Sequence, residues 1–337
     1  MSITERSFGK TALGDEVKIF TLLNSRGMKV EIMELGAAIV SMVVPNKMGK
    51  VADVALGFDT VEKYEKQTSY MGAIVGRCAN RLEKGEIKLN GVKYKLVCND
   101  GKNHLHGGLR GFDKRVWAGE IKELNGVEWL EMNYRSAHLE EGYPGNIDVS
   151  VSYFLMDNNS LEIEYFAISD QDTVVNLTNH TYFNLKGHNE GDILGHELQL
   201  FCKEYTENGK DFLPNGKISS VVGTPMDFTE KKEITQEFDD NWVLPDGKGG
   251  LVKCAILSEE NSGRMLEVHT TMPGIQLYTG NFLTNEIEGK NGVEYLKNSG
   301  LCLETQYFPN SIKHKDFPSI VLPAHEKYRH KTVYRFR

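Results

Sequence analysis

Alternating hydrophobic and polar residues are the dominant local pattern of this 337-residue chain. From Ile147 to Leu155 every second residue is apolar, and most residues between them are polar. The pattern resumes from Leu161 to Ala167, after the turn-forming residues Asn158-Asn159-Ser160. A period of two places the apolar set on one buried face. The two runs therefore predict the strands of an antiparallel hairpin.

Turn-forming dipeptides punctuate the chain, because Asn-Gly and Asp-Gly pairs readily adopt the positive φ angles of tight turns. The pairs are Asn90-Gly91, Asn125-Gly126, Asn208-Gly209, Asn215-Gly216, Asp246-Gly247 and Asn291-Gly292. Residues Gly247-Lys248-Gly249-Gly250 predict a loop, since no helix follows that could bind phosphate. One short helix is expected from Thr60 to Lys66 with Thr60 as its N-cap. No helix longer than about three turns is expected.

These signals favour an all-β protein with few short helices. The chain has 33 glycines, no strand-helix-strand rhythm and no internal repeat, which together favour a large antiparallel β-sandwich. No linker or low-complexity segment divides it. We therefore expect a single domain spanning residues 1–337.

Charge and composition exclude several classes of partner. With 47 acidic against 39 basic residues the formal charge is −8, which disfavours binding to nucleic acid or to an anionic membrane surface. Apolar runs such as Ile39 to Val44 are much shorter than the ~20 residues that span a bilayer. The N-terminal segment lacks the apolar core of a secretory signal, and the five cysteines are widely spaced. We expect a soluble cytoplasmic protein, monomeric or homodimeric, with reduced thiols.

Familiar catalytic motifs are missing from the sequence. It contains no GxSxG elbow, no GxxxxGK[ST] loop and no HExxH pair, so no cofactor is expected. The chemistry-bearing residues fall instead into five polar clusters. They are Gly76 to Arg81, Asn103 to Gly108, Val174 to Leu185, Phe238 to Trp242 and Leu301 to Asn310.

Two of these clusters allow alternative interpretations. Arg77, Asn80 and Arg81 could form a donor-rich wall for hydroxyl oxygens or an ion-paired surface loop. His104 and His106 would share one strand face, a spacing that suits a metal pair. Because no further Cys or His lies nearby at ligand spacing, a hydrogen-bonding histidine held by the Gly107-Gly108 turn is the favoured interpretation.

Two other clusters place polar groups on single strand faces. If the cluster from Val174 to Leu185 is extended, four alternate residues line one face of the strand: Asn176, Thr178, His180 and Tyr182. Such a polar stripe suits a sugar-binding cleft better than a hydrophobic core. In the last cluster Leu301, Leu303 and Thr305 would face one way and Cys302, Glu304 and Gln306 the other. Glu304 in so hydrophobic a strand is expected to have a raised pKa, unless an arginine pairs with it.

Taken in order along the chain, these clusters resemble the aldose 1-epimerase (galactose mutarotase) family. The matching segments are Gly76 to Arg81, Leu105 to Lys114, Asn176 to Leu185, Asp239 to Leu244, Gly274 to Leu283 and Leu301 to Pro323. The resemblance implies a galactose mutarotase-like supersandwich. It also implies cofactor-free and metal-free interconversion of the α and β anomers of free hexoses such as galactose and glucose.

The resemblance further implies roles for individual residues. Glu304 matches the catalytic base, His180 the catalytic acid and His106 a second active-site histidine. The residues implied to bind or line the sugar are Arg81, Asp239 and Gln276, with Asn80, Tyr182 and Tyr278 as weaker matches. The family pattern Asp-His-Asn-Phe is here Asp239-Asp240-Asn241-Trp242, so two carboxylates compete for one position, and the alignment favours Asp239.

Three other functions remain open at this stage. A glycoside hydrolase would use Asp239 and Glu304 as its two carboxylates. A non-catalytic sugar-binding protein could share the fold, because a fold does not fix a function. An epimerase of hexose 6-phosphates would need more basic residues around the far end of the sugar, where the acidic Asp239-Asp240 pair is unfavourable.

Overall fold

Antiparallel strands form most of the regular secondary structure in the computed structural model, which describes residues 1–245, 249–284 and 286–337. The strands are β1 Ser2–Lys10, β2 Glu16–Leu23, β3 Lys29–Met33, β4 Ile39–Pro45, β5 Val51–Asp53, β6 Ile74–Val75, β7 Arg81–Leu82, β8 Glu86–Leu89, β9 Val92–Lys95, β10 His104–Leu105, β11 Ala118–Leu124, β12 Val127–Ser136, β13 Ile147–Leu155, β14 Ser160–Ser169, β15 Thr173–Val174, β16 Thr178–Asn179, β17 Tyr182–Phe183, β18 Glu197–Leu200, β19 Glu204–Asn208, β20 Pro214–Ser220, β21 Lys232–Glu233, β22 Asp239–Val243, β23 Val252–Ser258, β24 Met265–Thr270, β25 Gly274–Tyr278, β26 Leu301–Gln306, β27 Val321–Leu322 and β28 Lys327–Phe336.

Helical structure is sparse, as expected. In the described ranges the α-helix is α1, Val61–Lys66, and Thr60 caps it by accepting a hydrogen bond from the Lys63 N–H at 3.3 Å. Short 3₁₀ turns occupy Glu83–Gly85, Phe112–Lys114, Glu140–Gly142, Lys210–Phe212, Lys290–Gly292 and Ser311–Lys313. Within the same ranges, no helix has the length and apolar character needed to cross a membrane.

Three larger sheets organise the strands. A nine-stranded sheet has the order β11-β12-β13-β14-β28-β24-β23-β18-β21, a six-stranded sheet β17-β26-β25-β22-β19-β20, and a five-stranded sheet β1-β2-β3-β4-β5. Small ribbons pair β6 with β16, β7 with β10, β8 with β9, and β15 with β27. The all-β sandwich expected from the sequence is confirmed.

The position of β26 between the hydrophobic core and the cleft side of its sheet explains why its residues alternate between apolar and polar. In β26, Leu301 and Leu303 are fully buried in the main core, and each such side chain contributes about 1.5–3 kcal/mol on burial. Thr305 hydrogen-bonds Thr332 of the nine-stranded sheet, so this face of β26 packs between the sheets. Cys302, Glu304 and Gln306 lie on the other face, as the alternation predicts.

Several local predictions are confirmed. β13 and β14 form the expected hairpin, with Leu155 opposite Leu161, and their apolar alternate residues are buried. Asn90-Gly91 joins β8 to β9, and Asn125-Gly126 joins β11 to β12, as two-residue turns in which all four φ angles are positive.

The other Asn-Gly and Asp-Gly pairs have mixed outcomes. Asn215-Gly216 lies inside β20, so a strand-joining turn there is wrong. The pair instead falls in a bulge opposite β19, where Gly216 has a φ of 95° and permits a close approach of His314, whose Nδ1 would lie 2.7 Å from an added Cβ. Asn208-Gly209 ends β19 and enters a 3₁₀ turn, and Asn291-Gly292 lies within another. Asp246, Gly247 and Lys248 lie outside the described residues, so the turn and loop expected there stay predictions.

Candidate active site

A cleft with a volume of about 770 Å³ lies on the polar face of the six-stranded sheet. Three adjacent strands supply side chains to it: Asp239 from β22, Tyr278 from β25 and Glu304 from β26. Asp239 is opposite Tyr278 and Tyr278 is opposite Cys302, two residues before Glu304. Because residues opposite one another in antiparallel strands share a face, the three side chains reach the cleft together.

The small β7–β10 ribbon brings a second group of residues to the cleft. Its register sets Arg81 opposite Leu105, which places Asn80 beside His106. The His106 N–H donates to the Asn80 carbonyl at 3.2 Å, and the Asn80 N–H donates to Nδ1 of His106 at 3.2 Å. Since Nδ1 accepts this bond, the neutral ring of His106 carries its proton on Nε2.

His180 lies between β16 and β17 and faces Glu304. Its backbone N–H donates to the Ala73 carbonyl at 2.9 Å, which fixes the segment against the chain before β6. The His180 Nε2 atom lies 3.7 Å from Oε1 of Glu304, and the His180 and His106 rings have centroids 5.2 Å apart. A carboxyl and two imidazoles therefore meet inside one cleft.

Burial shifts the pKa of each of the three groups in the direction that favours its neutral form. It raises the pKa of Glu304 well above its ordinary value, helped by the nearby Asp239 carboxylate and opposed by Arg81. It lowers the pKa of His180 to about 4. For His106, burial and the adjacent His180 and Arg81 lower the pKa well below its usual range.

These pKa shifts favour a Glu304–His180 pair without net charge, a carboxylic acid beside a neutral imidazole. The carboxylate–imidazolium form has the same net charge and differs by one proton transfer across the 3.7 Å gap. The Oε2 atom of Glu304 is buried without a hydrogen-bond partner among the described residues, so an entering hydroxyl group could supply the missing donor.

Polar residues beside this pair are held in a network around Asp239. Arg81 contacts the Asp239 carboxylate at 3.5 Å and donates to Asp100 at 2.8 Å, and Gln276 donates to Asp239 at 2.7 Å. Gln276 is buried behind Asp239 and does not line the cleft. Asp240 accepts a hydrogen bond from Asn208 at 2.8 Å outside the cleft. Of the two carboxylates, Asp239 therefore lines the cleft and Asp240 does not.

The donor-rich wall expected from the first cluster is only partly formed. Asn80 and Arg81 line the cleft. Arg77 is buried elsewhere and donates to the carbonyls of Pro144 and Gly145 at 2.7 and 3.0 Å and to Ser136 at 2.7 Å. Its guanidinium stabilises backbone rather than facing the cleft, so including Arg77 in the wall was wrong, as was the surface-loop alternative for it.

The polar stripe from Asn176 to Tyr182 is also interrupted. The segment is not one strand: β16 ends at Asn179 and β17 begins at Tyr182, because the Asn179 side chain accepts hydrogen bonds from the Thr181 N–H and hydroxyl and turns the chain. His180 and Tyr182 line the cleft, and the Tyr182 hydroxyl donates to the Ser69 carbonyl at 2.9 Å. Asn176 and Thr178 are buried outside the cleft lining.

His104 and His106 do not share a face, which corrects the expectation behind the metal pair. β10 ends at Leu105, and His106 has a φ of 50°, so strand alternation stops there. His104 contacts the Val97 carbonyl and lies 2.6 Å from the Tyr143 hydroxyl. His106, held beside the positive-φ Gly107 and Gly108, is the hydrogen-bonding histidine that was favoured.

Sequence reasoning missed residues that loops carry to the cleft. The Tyr70 ring centroid lies 4.6 Å from that of His106, and Asp100 pairs with Arg81. Phe212 lies under the Arg81 guanidinium at 5.1 Å and meets Phe282 edge to face at 6.1 Å. Both phenyl groups are exposed, Phe212 by 43% and Phe282 by 61%. An aromatic residue near a turn is the only sequence signal for either of them.

Ligand atoms of His106, His180 and Glu304 lie within 4.8 Å of one another, as in some zinc sites. The hydrogen bond from the Asn80 N–H occupies Nδ1 of His106, so in the neutral ring Nε2 carries the proton and offers no lone pair. The chemistry of this donor set therefore fits hydrogen bonding better than metal coordination.

Metal removal tests this conclusion. We expect protein dialysed against EDTA, with less than about 0.1 equivalent of metal by mass spectrometry, to keep its full catalytic activity, because acid/base chemistry by a carboxyl and two imidazoles needs only side chains. A loss of activity that added Zn²⁺ or Mn²⁺ restores would contradict it.

Comparison with solved structures identifies the fold. The chain superposes on an aldose epimerase homologue from C. elegans with a TM-score of 0.87 at 30% identity, covering 94% of this chain and 98% of that one. It superposes on galactose 1-epimerase from Lactobacillus acidophilus NCFM with a TM-score of 0.86 at 26% identity, covering 100% and 98%. The fold and the carboxyl–imidazole cleft together define an enzyme of the galactose mutarotase-like class.

Sequence comparison identifies the family. The aldose 1-epimerase family profile matches residues 18–335. Galactose mutarotase from Bos taurus is 41% identical over 346 residues, covering 100% of this chain and 99% of the relative, and aldose 1-epimerase from Escherichia coli (strain K12) is 35% identical with 96% coverage of both. The chain belongs to the aldose 1-epimerase family and is an isomerase, so the family inferred from the motifs is confirmed.

Proposed function

We propose that this protein interconverts the α and β anomers of free hexoses such as galactose and glucose by acid/base ring opening. The observation that carries the proposal is the 3.7 Å approach of the Glu304 carboxyl to the His180 imidazole inside a polar cleft. Anomer exchange needs one proton removed from the anomeric hydroxyl and one delivered to the ring oxygen. A facing base and acid supply both transfers.

The charged form of the Glu304–His180 pair corresponds to the closed sugar ring, and the neutral form corresponds to the open aldehyde. Glu304 as carboxylate takes the proton of the anomeric hydroxyl while His180 as imidazolium protonates the ring oxygen, so the C1–O5 bond breaks and an aldehyde forms. The pair is then a carboxylic acid and a neutral imidazole, the form that burial favours. Rotation about C1–C2 and reversal of both transfers closes the ring on the other carbonyl face.

The remaining residues are proposed to hold the sugar in this position. His106 would donate from Nε2–H to the oxygen on which negative charge develops, since Asn80 fixes that tautomer. Arg81 and Asp239 would bind ring hydroxyls with charge-assisted hydrogen bonds, with Asn80 and Tyr182 nearby. Gln276 would act through Asp239, to which it donates.

Polarimetry on freshly dissolved α-D-galactose and α-D-glucose tests the proposal. The protein should speed the drift of rotation to the same final value as the spontaneous reaction. Methyl α-D-galactoside is the matched control, because its anomeric centre is locked and no drift should occur. Release of reducing sugar from it would indicate a glycoside hydrolase, binding without acceleration a sugar-binding protein, and a response restricted to hexose 6-phosphates the phosphate-specific epimerase.

The pH profile follows from the shared proton. Activity needs one proton on the Glu304–His180 pair. A second proton binds as the pH falls through the lowered pKa of His180, about 4, and the first is lost as the pH rises through the raised pKa of Glu304. We expect a bell with a plateau through neutral pH, after correction for spontaneous mutarotation. A rate that instead changes around pH 6.5, where an exposed histidine titrates, would speak against a shared proton.

We further propose that the protein acts in the cytoplasm as a monomer or homodimer. All five cysteines, each within the described residues, carry free thiols, and four of them are buried. This pattern is typical of proteins that stay in a reducing compartment. Light scattering after size-exclusion chromatography distinguishes the monomer from the dimer.

A further inference from the structure

The thiol of Cys302 contacts His180, the proposed catalytic acid, at the ring nitrogen that does not face Glu304. Its Sγ atom lies 3.4 Å from Nδ1 of His180, on the side of the ring away from Glu304. Strand pairing holds it there: Cys302 is opposite Tyr182 in β17 and opposite Tyr278 in β25. The side chain is fully buried. Strand β26 thus carries both Glu304, the proposed base, and Cys302, which contacts the proposed acid.

Ring opening and closure require His180 to use Nε2 for both transfers. Nε2–H donates to the ring oxygen on opening, and the Nε2 lone pair accepts a proton on closure. The Nδ1 proton must therefore stay in place through the whole cycle. If the neutral ring adopted the other tautomer, its proton would sit on Nε2 and closure would lack a base.

We propose that Cys302 is a positioning residue whose sulfur accepts a hydrogen bond from Nδ1–H of His180 and so keeps Nε2 as the atom that exchanges protons. This inference rests on the acid role of His180 proposed above. Distance, burial and strand register carry it.

A thiol suits this position because it is a weak, neutral acceptor. Burial raises the pKa of Cys302 well above its usual value, so the sulfur stays protonated and uncharged. A carboxylate in its place would stabilise the imidazolium strongly. His180 must instead release its proton to the sugar readily and take one back, which a weak partner allows.

Three variants test the proposal through turnover. Cys302→Ala should lower kcat about tenfold with little change in KM, as expected when the partner that orients an imidazole is removed. Cys302→Ser should restore kcat to within about threefold, since a hydroxyl oxygen also accepts. Cys254→Ala is the matched control: it removes another fully buried free thiol, whose contact is the Val268 carbonyl in the nine-stranded sheet, and should leave kcat unchanged.

The tautomer itself is read from long-range ¹H–¹⁵N spectra of ¹⁵N-histidine-labelled protein at neutral pH. Wild type and Cys302→Ser should show His180 protonated on Nδ1, and Cys302→Ala a mixture. Wild-type protein with the proton on Nε2 would overturn the inference whatever the variants do, and so would Cys302→Ala with unchanged kcat and tautomer. The acid role of His180 is tested separately by His180→Asn, so the two failures can be told apart.

Discussion

Replacing Glu304 by Gln is expected to lower kcat for hexose mutarotation by about 10²–10⁴-fold, the contribution typical of a positioned acid or base. The amide preserves the shape of the side chain but cannot take the proton of the anomeric hydroxyl. Because hydrogen bonding to the sugar is largely retained, KM should change much less than kcat. Polarimetry at several galactose concentrations gives both values.

The melting temperature of Glu304→Gln serves as a control for its folding. Burial raises the pKa of Glu304 in the folded state above its ordinary value of 4.5, so the unfolded chain loses this proton first as the pH rises. Stability is therefore reduced at neutral pH, and the Gln variant avoids that cost. We expect its Tm at pH 7 to exceed that of wild type by about 2 °C or more, with the difference vanishing below pH 4. An inactive variant with a lowered Tm would be uninformative about catalysis, whereas near-normal kcat would remove Glu304 from its role.

Replacing His180 by Asn should lower kcat by a similar factor, about 10²–10⁴-fold. The Asn amide can still donate a hydrogen bond but cannot deliver a proton to the ring oxygen or take one back. His330→Asn is a suitable control, because His330 is partly buried and contacts Thr271 and Tyr307 away from the cleft. That control should retain its kcat even if its Tm falls. Turnover by His180→Asn within a few-fold of wild type would rule out the imidazole as the acid.

Local features of the fold could be predicted from the sequence because they depend on interactions between residues close together in the chain. The β13–β14 hairpin follows from period-two burial, and the turns at Asn90-Gly91 and Asn125-Gly126 follow from residues that tolerate positive φ. The same rule failed to give a strand-joining turn at Asn215-Gly216, because the pair lies in a bulge of β20 opposite β19. Gly216 takes a positive φ of 95° within that bulge and makes room for His314.

The site was only partly accessible for the same reason. Glu304 could be singled out as a carboxylate in a hydrophobic strand, whereas the roles of His180 and His106 came from resemblance. Nothing in the sequence indicates that Arg77 would turn inward to backbone carbonyls or that Tyr70 would lie against His106. Those contacts join segments far apart in the chain, so they depend on the folded topology rather than on spacing.

The structure places the two carboxylates of the Asp239-Asp240 pair in different surroundings. Adjacent residues of a strand point to opposite faces. Asp239 faces the cleft beside Arg81 and Gln276, and Asp240 accepts from Asn208 on the other side. An Asp239 carboxylate engaged by two donors suits a hydroxyl-binding role better than that of a second catalytic group in a glycoside hydrolase.

The most direct test of the central claim, that one carboxyl and one imidazole act together on one sugar, is the kcat of the Glu304→Gln/His180→Asn double variant. Residues that act as a unit give strongly non-additive losses. We predict that the double variant is no more than a few-fold slower than either single variant. A loss equal to the product of the two single losses would show that the residues act independently and would contradict the paired mechanism.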